Sequence, residues 1–339
     1  MSVMNPARYS IPLLSPGKLN QMKNISWMKN QSLFIFLNVL VLLFTCISGN
    51  AQSDRVMFKQ WGEFGDGPGQ LKFPAMIAVD NSGHIYVVDQ HNHRIQKFDS
   101  QGNFLLMWGK NGDEPGEFNY PYGIAVDSRG NVYVSDMNNH RIQKFSSGGE
   151  YLKSTGSYGT EDGQLKYPYG IALDEKDVLY AIDAFNYRIQ KFDSELKFLS
   201  EWGSEEEIGF RLYIPHEIAI AADGNVILSD RQNHRISVFT SDGALVKRFG
   251  KYGEGKEAGG GQFSEPHGVC VSKNGDIFVC DRYNFCIQKF NSSGEYQSGW
   301  KTSGVFDDSK HFPLGIAAGP DGTVYVTDNY AHCIQVYKP

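Results

Sequence analysis

The chain has no apolar run longer than fifteen residues, no CxxC pair among its five cysteines and no surplus of basic residues. Each absence excludes something. Cys46, Cys270, Cys280, Cys286 and Cys333 lack the spacing of a zinc knuckle or of a dense disulfide framework. Lys and Arg number 32 against 38 Asp and Glu, for a net charge of −6, and residues 1–53 hold four bases (Arg8, Lys18, Lys23, Lys29) and no acid. The remainder is therefore more acidic still, which argues against a nucleic-acid partner, since phosphate binding needs a basic footprint. No GxSxG elbow, HExxH or GxxxxGK[ST] occurs, so the usual hydrolase, zincin and phosphate-loop chemistries have no anchor. What is present, 41% hydrophobic residues, 13% aromatics and 37 Gly over 339 positions, is enough for a large core with many tight turns.

The fifteen-residue run, LFIFLNVLVLLFTCI at 33–47, follows Lys23 and Lys29 and precedes SGNAQS. It is shorter than the roughly 20 residues that cross a bilayer as a helix, and it reads as a signal peptide over 1–51 cleaved after Ala51. A start at Met28 would give a basic leader of ordinary length. Two other readings stay open: an uncleaved 33–47 anchor, or a lipid on Cys46 despite the Thr at the preceding position. Membrane attachment is expected only in those two cases. All three put residues 52–339 outside the cytoplasm, as a secreted or periplasmic protein.

Those residues repeat. VDQHNHRIQKF (88–98), SDMNNHRIQKF (135–145), IDAFNYRIQKF (182–192), SDRQNHRISVF (229–239), CDRYNFCIQKF (280–290) and TDNYAHCIQVY (327–337) follow one pattern. The intervals between their aspartates are equal except where KYGEGKEAGGGQF adds four residues in the fifth unit. Within a unit the apolar period is two, as in PYGIAVD, NVYVSD, RIQKF and FLLMWG, with Gly, Asn, Asp or Ser between runs. Four short strands per unit, repeated six times, predict an all-β, six-bladed β-propeller of four-stranded blades. The segment 55–62, RVMFKQWG, matches later fourth strands without a strand before it, and the last unit stops after its third strand. It is expected to complete the last blade and close the ring.

The unit GIAVDSRGNVYVSDMNNHRIQKF resembles the NHL repeat, over essentially all of residues 54–339. That resemblance implies the propeller and leaves the activity open, because the family includes RNA- and protein-binding modules, sensor domains and peptidyl-hydroxyglycine amidating lyases.

Six internal copies separate scaffold from candidate site. The loop Asp (Asp89, Asp136, Asp183, Asp230, Asp281, Asp328) and the Asn three residues on are read as turn-capping groups. Arg94, Arg141, Arg188 and Arg235 are expected to pair with the Asp of their own loop, and His93, His140, His234 and His332 to pack loops. Trp61, Trp108, Trp202 and Trp300 are read as packing between blades, with Gly156 and Phe249 in that slot elsewhere. A Cys280–Cys286 bridge and free buried thiols both stay open.

The copies differ on one face. After the proline that opens each first strand stand Ala75, Tyr122, Tyr169, His216, His267 and Leu314; after the loop Asp stand Gln90, Met137, Ala184, Arg231, Arg282 and Asn329. Blades four and five thus combine His216, Glu217, Arg231, His267, Arg282 and Tyr283 at the channel mouth, faced by Tyr122 and Tyr169. Two imidazoles can hold zinc or copper while arginines bind a carboxylate. The same group can instead form a binding surface for an acidic peptide or a glycan, or simply line the mouth with hydrogen-bonded histidines. PHEIAI and PHGVCV are similar to the Pro-His segments of the amidating lyases, which implies His216 and His267 as metal ligands, Tyr283 as catalytic tyrosine and Arg231 or Arg282 as carboxylate holder. The match departs from that family in its two adjacent histidines and its shorter loop around Tyr283. The expectation taken forward is an exported binding or interaction scaffold using the mouth of blades four and five, toward an extracellular protein, peptide or glycan. A metal-dependent lyase is the alternative.

Overall fold

The structure, a computed structural model, describes residues 57–203, 212, 214–254, 260–302 and 311–338. The expected leader, its cleavage site and Cys46 lie outside the described residues.

Six four-stranded antiparallel sheets form the blades, spanning 74–108, 121–155, 168–202, 215–249, 266–301 and, for the sixth, 313–337 together with Met57–Trp61. The innermost strands Pro74–Val79, Pro121–Val126, Pro168–Leu173, Pro215–Ile220, Pro266–Val271 and Pro313–Ala318 pack each against the next, and the last against the first. The ring is therefore closed. Met57–Trp61 lies antiparallel to Cys333–Tyr337, with Met57 opposite Tyr337 and Trp61 opposite Ile334, so the N-terminal strand is the outer strand of the last blade as expected.

Between blades the repeat residues do what their recurrence implied. The loop carboxylate is fully buried in all six copies. Arg94, Arg141, Arg188 and Arg235 donate from Nε to Asp89, Asp136, Asp183 and Asp230 at 2.7, 2.8, 2.9 and 2.8 Å. The capping runs through side chains: in the 3-10 turns that follow Asp89, Asp136, Asp230 and Asp281 the carboxylate caps no backbone N–H of its own turn, but it accepts from the Asn that ends the turn, Asn92, Asn139, Asn233 or Asn284, at 2.8 Å. Its other oxygen accepts from the incoming connection, as Asp89 does from the Lys72 amide at 2.7 Å. The histidines link neighbours: Nδ1 of His93, His140, His234 and His332 accepts from the amides of Tyr120, Tyr167, Glu265 and Phe73. In the fifth unit, Lys251–Tyr252 pairs in parallel with Gln262–Phe263, where the connections of three other units have a single parallel bridge.

Two sequence readings are corrected. The tryptophan slot of blade two holds Thr155, because Thr155 stands opposite Ile142 where Trp108 stands opposite Ile95; Gly156 matches Gly109. The four described cysteines are free thiols. Cys280 pairs with Ile287 and Asp281 with Cys286, so the two sulfurs leave opposite faces of the hairpin and cannot bridge.

A third-strand lysine fills the groove between neighbouring blades in the first three. Lys97, Lys144 and Lys191 lie over the rings of Tyr86, Tyr133 and Tyr180 and donate to a carbonyl of the next blade's outer turn. Blades four and six have Val238 and Val336 there. The residues opposite, Lys247 and Lys59, take over the bond to the next turn, and cavities of about 290 and 360 Å³ open beside the valines.

Candidate functional site

The pairing of Pro215 with Asp230, and of Pro266 with Asp281, puts the start of each first strand beside the end of the second. Residues after the proline and after the loop Asp therefore meet at one end of the channel. There His216 and His267 are 4.2 Å apart between ring centroids, and Tyr122 and Tyr169 stack at 5.0 Å with an interplanar angle of 29°. His216 sits 4.9 Å from Tyr169 and joins the two pairs. Both histidines are buried.

The hydrogen bonds around His216 fix its tautomer. Arg231 Nη1 lies 3.0 Å from Nε2, and a guanidinium only donates, so Nε2 is the acceptor. A neutral imidazole then carries its proton on Nδ1 and gives it to the Tyr122 hydroxyl oxygen at 2.7 Å. That leaves the Tyr122 O–H proton to point elsewhere. Desolvation, reinforced by Arg231 and Arg282, holds the His216 pKa well below its ordinary value, and burial, His216 and the same arginines do so for His267. Neither Nδ1 nor Nε2 of His267 has a hydrogen-bond partner, nor has Nε of Arg282. Arg231 is also engaged by Glu265, with Nε 2.6 Å from Oε2.

Glu217 follows His216 into the channel. Gly170 of the neighbouring blade makes room for it, since a Cβ there would fall 2.8 Å from Glu217 Oε1. Desolvation pushes its pKa up to about 8, the Ile218 amide opposing, and Oε2 has no partner. The carboxyl is thus protonated in the folded chain at neutral pH and ionised in the unfolded one. Its effect on stability is absent below the ordinary glutamate range and grows unfavourable as pH rises from about 4.5 to about 8, reaching about 3 kcal/mol near neutrality. Glu217→Gln is expected to flatten that decline. Urea unfolding at pH 5 and pH 8.5 checks it, and an equal effect of the substitution at both pH values would refute the assignment.

Tyr283 stands apart from the histidines. It is 38% exposed, with its ring 6.0 Å from Phe312 and 5.8 Å from the Arg282 guanidinium carbon. The mouth therefore brings together Tyr122, Tyr169, His216, His267 and Arg231, with Glu217 beside them on the same strand and Arg282 linking the group to Tyr283. Zinc or copper does not suit this set: both nitrogens of His216 are engaged, one by a guanidinium, and two arginines act on the pair. Among the described residues no group of three or more His, Cys, Asp or Glu is placed to hold a metal ion.

A closed ring of six four-stranded blades with a side-chain cluster at one channel mouth is a six-bladed β-propeller. The NHL repeat model matches residues 71–98, 118–145, 212–239, 263–290 and 311–337, and the chain is an NHL-repeat β-propeller. Short stretches resemble curated proteins: 45 residues are 49% identical to the B-box type zinc finger protein ncl-1 of Caenorhabditis elegans and 47% identical to the protein brain tumor of Drosophila melanogaster. Each match covers 13% of this chain and only 5% and 4% of those proteins. Among solved structures, a streptogramin B lyase superposes with a TM-score of 0.58 at 16% identity, covering 85% of this chain and 99% of that one. A gluconolactonase from Xanthomonas campestris gives 0.59 at 14% identity, covering 80% and 88%. At these identities the likeness is one of fold.

Proposed function

We propose that this chain is an exported binding module whose channel mouth at blades four and five captures an oxyanion, foremost a carboxylate, on an extracellular peptide or glycan. The observation that carries the reading is a pair of buried donors without an anionic partner, the Arg282 Nε–H and the Tyr122 O–H, with the charges of Arg282 and Arg231 both acting on Tyr122. Charge-assisted bonds from guanidinium to carboxylate are the strong ones, and a partly buried mouth strengthens them. The two histidines are neutral, and His216 orients Tyr122 and Arg231 through its two nitrogens. A rigid ring presents this group with little ordering cost on association.

Calorimetric titration of the full chain with glucuronate tests the reading. Binding is expected, and Arg282→Gln is expected to weaken it by about tenfold to a hundredfold, the worth of one charge-assisted bond. The melting temperature should change little, because Arg282 is only partly buried and its Nε has no hydrogen-bond partner to lose. Equal affinity in the variant would refute it. A metal-dependent lyase, the competing reading, requires stoichiometric zinc that disappears in His216→Ala/His267→Ala, measurable on the same preparations.

A further inference from the structure

The face that carries the channel mouth has a second series of side chains. The residue before each opening proline is Phe73, Tyr120, Tyr167, Ile214, Glu265 or Phe312, and the second residue after the loop Asp is His91, Asn138, Phe185, Gln232, Tyr283 or Tyr330. Folding alternates these two series around the rim. From blade five to blade two they make one unbroken arc: Tyr283 to Phe312 at 6.0 Å, Phe312 to Tyr330 at 4.7 Å, Tyr330 to Phe73 at 5.7 Å, Phe73 to His91 at 4.6 Å and His91 to Tyr120 at 5.2 Å. Asn138 ends it. Successive rings are tilted or edge-on, with interplanar angles of 41° to 86°. Tyr330 is 55% exposed and His91 is exposed. At the head of the arc lies Arg282, 5.8 and 5.7 Å from the centroids of Tyr283 and Phe312.

We propose that this arc is a saccharide track, and that its occupant is an oligosaccharide of neutral sugars carrying a single uronate, whose carboxylate sits at Arg282. The inference rests on the oxyanion reading above and names the ligand class. A pyranose offers an apolar C–H face to an aromatic ring and a rim of hydroxyls to polar groups at its edge, and a curved line of partly exposed rings supplies both. A peptide would draw on free strand edges, whereas here each blade presents strand ends and turns on this face. A polyphosphate would meet a chain of net charge −6.

The test compares glucuronate, a neutral xylo-oligosaccharide, the same oligosaccharide bearing one glucuronate, an acidic peptide and oligothymidylate as ligands of the full chain. The glucuronate-bearing oligosaccharide is expected to bind at least about tenfold more tightly than glucuronate alone. Tyr330→Ala should weaken that binding roughly threefold to tenfold and leave glucuronate unaffected, while Tyr330→Phe, which keeps the ring, stays close to the parent. Arg282→Gln should weaken both acidic ligands. An oligosaccharide no tighter than glucuronate, no effect of Tyr330→Ala, or preferential binding of the peptide or oligothymidylate overturns the saccharide track while the oxyanion site stands. Absence of any glucuronate binding removes the underlying reading as well.

Discussion

Removal of residues 54–61 is expected to cost the chain about 5 kcal/mol or more and to make it aggregate. The strand Met57–Trp61 supplies the ladder for Cys333–Tyr337, and without it that strand becomes an exposed edge. Trp61 is also lost, and its ring packs against Tyr325 at 6.1 Å and Phe98 at 6.2 Å, one on each side of the seam between the last blade and the first. Loss of a packed tryptophan alone is worth about 3–5 kcal/mol. In a chain of this size that total lowers the melting temperature by roughly 10 °C or more. The control is a permuted chain in which residues 57–61 follow Lys338 through a turn of the DSQGN type that joins the third and fourth strands of blade one. It keeps the strand and changes only its connection, so native stability is expected there. A truncated chain that melts with the parent would show that the seam does not need this strand.

The closing strand was legible because RVMFKQWG repeats a pattern that later occurs four strands deep in a unit, and repetition is visible without coordinates. The same holds for the Asp of all six loops and for the Arg and the His that each recur in four, whose repetition marks them as architecture. Legibility failed where a repeat slot changed size. In blade two YLKSTG has no aromatic beside its glycine, and alignment by pattern puts Gly156 in the slot; only the ladder, with Thr155 opposite Ile142, sets the register.

At the mouth, comparing residues after each opening proline found Tyr122, Tyr169, His216 and His267, which the fold does bring together. It also put Tyr283 with them, because a loop position shared with Arg282 does not tell which way the next side chain turns. What the comparison passed over is the residue before each proline. Phe73, Tyr120, Tyr167 and Phe312 were visible as aromatics at one repeat position, and the signal was there to use. Their meeting with His91, Phe185, Tyr283 and Tyr330 was not, since it depends on how one blade's turn overlies the next blade's first strand.

The corrected register leads to a second large effect. In four junctions a turn glycine of the following blade faces the tryptophan slot: a Cβ on Gly102 would lie 2.6 Å from the Trp61 ring, on Gly149 2.9 Å from Trp108, on Gly243 2.6 Å from Trp202 and on Gly294 2.6 Å from Phe249. Where the slot shrinks to Thr155, the matching turn residue of blade three is Leu196, 3% exposed and packed with Tyr133 and Ile142 of blade two. The ring and the turn residue exchange volume. Leu196 accepts a left-handed backbone, φ 58°, to fill that space, a conformation that bulky residues rarely adopt. Gly243→Leu alone should therefore destabilise by about 3–5 kcal/mol, from overpacking against Trp202 and from the positive φ of 87°. Trp202→Thr alone should cost a similar amount, about 3–5 kcal/mol, through the cavity it leaves beside Phe239. The double variant rebuilds the junction that blades two and three already use, so its loss should fall short of the sum by about 2 kcal/mol or more. Urea unfolding of the four chains closes the cycle. Additive losses would mean that the pairing of Thr155 with Leu196 is a coincidence of two blades and not a rule of how this ring fills its joints.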